Sequence, residues 1–276
     1  MSATPPSSSD GATALPSGYS ARFGGIGRLF GSDSLERLHR AHVCVVGIGG
    51  VGSWAVEALA RSGVGSLTLV DLDDICTTNV NRQIHALNGT VGAPKVEAMA
   101  ERIRAINPTA QVNPVHAFFN EATAAVILTP QFDFVLDAID NPPKKALLIA
   151  RCRERELPVL VMGGAGGRRD PLALRTGDLA HSSHDRLLTA VRSALRKDHG
   201  FPVGEKKRFG IDCLYSPEPV MFPQSDGTVC PKREDGSTLR LDCERGYGTA
   251  CFVTGAFGLA AAAHIVGQIV DAGKPV

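Results

Sequence analysis

The sequence predicts an α/β, Rossmann-like fold: a mostly parallel, doubly wound sheet, continued by a mixed or antiparallel C-terminal part, with a long loop region in the middle. Three observations carry this. Short apolar runs, several of them β-branched, alternate with helical apolar spacing over residues 42–163. A glycine loop, Gly47-x-Gly49-x-x-Gly52, follows the first run and opens the first periodic helix. A carboxylate, Asp71, ends the second run nineteen residues after Gly52.

Element by element, HVCVVG (42–47) reads as a strand, 51–63 as a helix and SLTLVD (66–71) as a second strand. A helix is predicted over 94–106, a strand over 111–116, a short helix over 121–128 and a buried strand over 132–140. The helix predicted over 143–156 carries Pro near its first turn, and 157–163 is another strand. This alternation implies βαβ units with right-handed crossovers. LALRT (172–176) reads as a strand leaving the parallel order, and 177–245 as irregular chain rich in Pro, Gly and charge. No internal repeat is found. The expected organisation is one domain over 21–276 with a basic loop insertion at about 178–240, behind a disordered tail over 1–20.

Composition narrows the class. Apolar residues make up 43% and the formal net charge is +1, so no global basic field demands nucleic acid. Seven scattered cysteines include no C-x-x-C pair, which suits a reduced, intracellular protein without a zinc site. The first 20 residues lack the basic and apolar regions of a signal peptide. Residues 246–270 carry no formal charge and are long enough to span a bilayer. Their Gly and Ala content, with His264 and Gln268 inside, favours a buried helix in a cytoplasmic protein, packed in a core or a dimer interface.

The glycine loop and Asp71 suit any nucleotide, since a helix N-terminus holds phosphate and a carboxylate accepts both ribose hydroxyls. The next residues separate the options. A triphosphate brings about two more charges than a diphosphate, and chemistry at phosphorus needs fixed cations. Asn79, Asn81, Arg82 and Gln83 follow the second strand, and Lys95 opens the next helix. A nicotinamide dehydrogenase would leave Arg82 and Lys95 without a task. Asp137 and Asp140 close the fourth strand at the crevice, where a carboxylate suits Mg2+ bridging phosphates. Asp140 is preferred as the freer of the two, and capping of the following helix is the competing role for either.

In order, G-x-G-G-x-G, D-x-D (Asp71, Asp73), N-x-x-RQ, V-G-x-x-K (Val91, Gly92, Lys95) and D-x-x-D-N (Asp137, Asp140, Asn141) resemble the ubiquitin-activating-enzyme-like adenylyltransferases across residues 22–165. The resemblance implies that Gly50 and Asp71 hold the adenosine end, Arg82 and Lys95 the phosphates, and Asp140 the Mg-ATP. It also implies a homodimer in which a partner's N-terminal arginine reaches the ATP. The second arginine of that N-terminal motif is Gly25 here, so Arg22 or Arg28 is left for the role.

RFGGIGRLFG (22–31), NRQIHAL (81–87), GGAGG (163–167) and PQSDGTVC (223–230) are similar to a narrower branch, the tRNA threonylcarbamoyladenosine dehydratases, over residues 22 to about 265. That branch implies adenylation of the threonine carboxylate beside the tRNA anticodon, followed by ring closure and loss of AMP. Implied cofactors are ATP and Mg2+, with room for a structural monovalent cation. Implied partners are tRNA and a second copy of the chain, with room for a sulfur-relay or desulfurase-type protein, and no DNA.

Residues 186–208 carry a local charge of +5, from Arg186, Arg192, Arg196, Lys197, Lys206, Lys207 and Arg208 against two acids. They form a candidate RNA surface, with a solvated helix and loop as the plain alternative. Arg168 and Arg169 follow GGAGG nearer the crevice, and Phe209 and Tyr215 are candidate base-stacking residues. Cys243 lies where a thioester-forming cysteine would sit, and a spectator role fits it equally. Two other functions remain open at this stage: activation of a small sulfur-carrier or ubiquitin-like protein, and a scaffold or redox-relay protein that binds nucleotide without turning it over.

Overall fold

The structure, a computed structural model, describes residues 15–129, 131–204, 206–232 and 247–272. In chain order the elements are α1 (Tyr19–Phe30), α2 (Ser34–Arg40), β1 (His42–Val46), α3 (Gly52–Arg61), β2 (Ser66–Val70), α4 (Lys95–Ile106), β3 (Gln111–Val115), α5 (Glu121–Ile127), β4 (Phe134–Asp137), α6 (Pro142–Glu154), β5 (Val159–Met162), β6 (Arg175–Asp178), α7 (Arg186–Asp198), β7 (Asp212–Tyr215), β8 (Phe222–Pro223), β9 (Val229–Cys230) and α8 (Cys251–Asp271).

The central sheet has seven strands in the order β3-β2-β1-β4-β5-β7-β6. All pairs are parallel except β6 with β7. Period-two alternation sends Val43 and Val45 of β1 to one face and Cys44 and Val46 to the other. The first face is covered by α3, α4 and α8, through Leu59, Met99 and Phe257 among others. The second is covered by α5, α6 and α7, through Ile127, Leu148 and Val191. From β1 the chain winds outward through β2 and β3, then crosses to β4 on the other side. In an open parallel sheet that reversal puts the ligand crevice at the carboxyl ends of β1 and β4. The register aligns those ends, with Val46 opposite both Val70 and Asp137.

The apolar run near the C-terminus forms α8, which lies along α3 and buries Val253, Phe257, Ala261 and Ile265 in the core. The two helices touch at Gly258, where a Cβ would stand 2.6 Å from the Val51 carbonyl oxygen and 2.6 Å from the Trp54 Cβ.

Several expectations need correction. The strand expected over 132–140 ends at Asp137, because the Asp137 carboxylate turns onto the Ile139 N–H (3.2 Å) and meets Lys145. The strand expected at 172–176 runs 175–178 instead. The stretch expected to be irregular contains α7 and β7, and β7 is an interior strand of the sheet. The Asp185 side chain caps α7 through the Leu188 N–H (2.9 Å), and Leu188, Val191 and Leu195 are buried at helical spacing. Four-residue β7 is too short to show a period. Helix α1 begins at Tyr19, inside the expected tail, because Tyr19 and Phe23 pack with Leu35. Residues 1–14 and Cys243 lie outside the described residues.

Asp137 and Lys145 form a fully buried ion pair at 3.0 Å, and Lys145 also donates to the Asp137 carbonyl at 3.1 Å. Burial raises the Asp137 carboxyl above the usual range while Lys145 pulls it back. Removing one partner strands the other charge, so Lys145→Met is expected to cost about 3–5 kcal/mol in urea unfolding. Adding Asp137→Leu in the same chain is expected to recover most of that loss. A double variant as unstable as the single would show that the pair is not what holds this position.

Candidate active site

The crevice is built on a close backbone contact. Gly47 turns the chain out of β1 with a φ of 94°. A Cβ at Gly52 would lie 1.8 Å from the Gly47 carbonyl oxygen, so only glycine lets α3 start there. The free N–H groups of α3 and its dipole then face the crevice. Asp71 stands one residue past β2 at the same level. Its carboxylate accepts the Ile48 N–H at 2.7 Å and the Asp73 N–H at 2.9 Å. Burial raises the Asp71 carboxyl, and Lys95 opposes that shift.

The Ile48 peptide is held from both sides. Its carbonyl oxygen lies 2.9 Å from His85 Nε2, which donates to it. Nδ1 of that buried ring has no partner among the described residues. Burial lowers the His85 pKa to about 4, so the ring is neutral at physiological pH.

Two further segments supply cations, Lys95 near Asp71 and Arg82 beside Gly50. Lys95, at the start of α4, is 6% exposed and pairs at 2.7 Å with Asp73, whose side chain is largely open to solvent. The Arg82 guanidinium donates to Thr78 O at 2.7 Å and to Asn81 Oδ1 at 3.0 Å. Its backbone carbonyl accepts from Trp54 Nε1 on α3 (3.0 Å) and from Thr254 Oγ1 on α8 (3.1 Å). Asn81 Nδ2 donates to Thr249 O at 2.9 Å. Buried Asn79 accepts the Cys76 N–H at 3.0 Å, and buried Gln83 keeps its Oε1 without a partner among the described residues.

Asp140 is exposed, three residues past β4, with no partner among the described residues. A free carboxylate at this crevice fits a hard cation shared with phosphates, and no cluster of three or more His, Cys, Asp or Glu ligands occurs among the described residues. Asn141, expected at the nucleotide, caps α6 through the Lys144 N–H at 3.2 Å. Gly49 and Gly50 complete the loop, and a Cβ at Gly50 would meet Thr254 Cγ2 at 3.1 Å.

Not every expected residue joins this group. Arg22 donates to Ile106 O at 3.3 Å, at the far end of α4 from Lys95. At ~1.5 Å per residue that is about 16 Å away. Arg168 is buried and stands off any exposed surface, and Phe209 packs into the core against Phe201 rather than facing a base. His85, Trp54, Thr249 and Thr254 were missed. The side chains of His85, Trp54 and Thr254 were hidden because they hold backbone carbonyls, and Thr249 because it offers its own backbone carbonyl, neither of which leaves a motif.

PQSDGTVC forms a tight hairpin of β8 and β9, with Gln224 N–H donating to Thr228 O at 2.9 Å. The Arg186 guanidinium of α7 lies 5.0 Å from the Phe222 ring of that hairpin.

The ThiF family profile matches residues 25–270, nearly the whole of this architecture. The chain belongs to the ThiF family. Among its ThiF-family relatives, the tRNA threonylcarbamoyladenosine dehydratase of Haemophilus influenzae is 46% identical over 253 residues, covering 91% of this chain and 94% of that protein. That of Escherichia coli is 46% identical over 250 residues, covering 90% and 93%. The solved structure of E. coli tRNA N6-threonylcarbamoyladenosine dehydratase, TcdA, in complex with ATP superposes with a TM-score of 0.83 at 41% identity, covering 93% of this chain and 97% of that one.

His85 gives this ThiF-family site a pH signature. Unfolded, its pKa is near 6.5; folded, it is about 4. Between those values the unfolded chain binds more protons, so the stability due to the neutral ring falls as pH drops from 6.5 towards 4. At 1.36 kcal/mol per unit the loss is up to about 3 kcal/mol. The difference in unfolding free energy between wild type and His85→Gln is expected to shrink over that window. A constant difference from pH 7 to 4 would mean that His85 titrates normally.

Proposed function

We infer that this protein is an ATP-dependent tRNA threonylcarbamoyladenosine dehydratase. The observation that carries the reading is whole-length similarity, continuing past residue 165 into α7, β7 and the β8–β9 hairpin, combined with Lys95 near Asp71 and Arg82 against Gly50 of the glycine loop. In the first step an oxygen of the threonine carboxylate attacks the α-phosphorus of ATP and pyrophosphate leaves, giving an acyl adenylate. In the second a neighbouring group on the same side chain attacks the acyl carbon, a ring closes and AMP leaves with that carboxylate oxygen. The nucleophile is already intramolecular, so this step needs positioning more than acid–base help.

The glycine loop and the α3 N-terminus take the phosphates, and Asp71 takes the ribose. Arg82 and Lys95 balance charge developing on the phosphate oxygens. Lys95 exchanges its Asp73 partner for phosphate, and Asp140 is the residue that would hold Mg2+, which would supply neutralisation of phosphate charge. Incubated with ATP, Mg2+ and threonylcarbamoylated tRNA, the protein is expected to convert the modified nucleoside to a product lighter by one water, with AMP formed. Arg82→Ala and Lys95→Ala are each expected to slow AMP formation by about 10²- to 10³-fold while remaining folded. An unaltered nucleoside, or wild-type turnover in both variants, would refute the assignment. Pyrophosphate exchange driven by a small protein ending in Gly-Gly, and not by tRNA, would redirect it to carrier-protein activation.

The tRNA surface is formed by exposed Arg169, Arg186, Lys197, Lys206, Lys207 and Arg208, with half-buried Arg192 and Arg196 beside them. Such a surface gives the salt-dependent phosphate binding expected of an RNA enzyme, and this substrate places the protein in the cytoplasm.

The working unit is a homodimer. The outward face of α8 is an apolar stripe of Phe252, Ala256, Leu259, Ala260, Ala263 and Gly267, with Phe252 and Leu259 more than half exposed. An unpaired face of this kind on a soluble enzyme seeks a partner. A second copy also supplies Arg22 to a site its own chain cannot reach. Phe252→Glu with Leu259→Glu is expected to shift the light-scattering mass from dimer to monomer. A wild-type monomer at micromolar concentration would remove the argument.

A further inference from the structure

Arg168 follows the Gly163–Gly167 stretch at the carboxyl end of β5. It is 4% exposed, yet among the described residues its Nε and Nη1 have no hydrogen-bond partner. Its one bond among them runs from Nη2 to the His184 carbonyl at 3.0 Å. His184 holds that carbonyl in place at a φ of 57°, a conformation that costs a non-glycine residue about 1 kcal/mol or more.

No carboxylate pairs with Arg168 among the described residues. Those near enough to feel its charge are committed elsewhere. Asp185 accepts the Gly164 and Leu188 N–H groups at 2.9 Å each. Glu218 accepts the Arg169 and Asp170 N–H groups at 3.0 Å. Burial accordingly holds the guanidinium below the usual arginine range. A buried cation with unfilled donors is costly, and cores do not retain one for packing.

Its position connects it with the reaction centre. Gly167 N–H donates to Gly248 O, and the next residue, Thr249, accepts from Asn81, the neighbour of Arg82. The loop carrying Arg168 and the segment carrying Arg82 are thus joined through two consecutive residues. Tyr247 packs half buried against Gly166 and Phe222, close enough to act electrostatically on Arg168.

We propose that Arg168 is the receptor for the threonine carboxylate of the RNA-borne substrate, holding it beside the nucleotide until one of its oxygens meets the α-phosphorus. This rests on the dehydratase reading above. The carboxylate fills the donors that the free protein leaves empty. Arg168 therefore reads the modification rather than the RNA backbone.

The test uses two anticodon stem-loop RNAs, with threonylcarbamoyladenosine or plain adenosine at the reacting position, each bound in the presence of a non-hydrolysable ATP analogue. Wild type is expected to prefer the modified RNA by about 10-fold or more, the value of one charge-assisted contact. Arg168→Gln is expected to bind both alike, with unchanged affinity for the ATP analogue and an unfolding midpoint equal to or above wild type. Arg168→Lys is expected to recover part of the preference. The proposal is overturned if Arg168→Gln keeps the preference, loses affinity for both RNAs equally, loses nucleotide affinity, or unfolds earlier than wild type. If wild type itself neither prefers nor dehydrates the modified RNA, the functional reading fails first. A wild type that dehydrates it, beside an Arg168→Gln chain that still discriminates, sinks only the assignment of Arg168.

Discussion

The contact between Gly52 and the Gly47 carbonyl sets where everything else in the crevice stands. With no Cβ in the way, α3 starts against the end of β1 and aims its N-terminus at the crevice. The Ile48 peptide is then fixed between Asp71 and His85. One turn into α3, Trp54 donates to the Arg82 carbonyl and packs against Gly258 of α8. Through α8, Thr254 holds the same Arg82 carbonyl. Asp71, Arg82 and the C-terminal helix are all referred to one helix start, and displacing it moves all three.

Buried charge divides the molecule into scaffold and site. The Asp137–Lys145 pair is closed on itself, with both groups fully buried, and belongs to the scaffold. Lys95 is nearly as buried but pairs with a carboxylate that solvent can reach, so its partner is exchangeable. Arg168 has no anionic partner among the described residues. Going from closed pair to open pair to unpaired cation, each charge holds less of the fold and is freer to bind something that arrives.

The sequence made the first half of the sheet legible, because its strands are apolar runs and its helices carry clear periods. Strand ends were less so: β4 stops at Asp137 owing to a side-chain pairing that no local pattern announces. Helix α7 did carry its signals, an Asp185 cap with Leu188, Val191 and Leu195, but they were masked by the surrounding charge. Strand β7 was invisible, since four residues between Pro- and Gly-rich segments show no alternation. In the site, Gly52, Asp71, Arg82 and Lys95 were legible from order and spacing. The burial of Arg168 and the service of Asn141 as a cap were not, because both depend on where distant segments pack.

The central claim is that a carboxylate oxygen on the RNA attacks the α-phosphorus of ATP. It is tested most directly with threonylcarbamoylated tRNA bearing oxygen-18 in the threonine carboxylate. The account requires one labelled oxygen to appear in the AMP after a single turnover, with the pyrophosphate unlabelled. Label in inorganic phosphate or released water, with none in AMP, would contradict it.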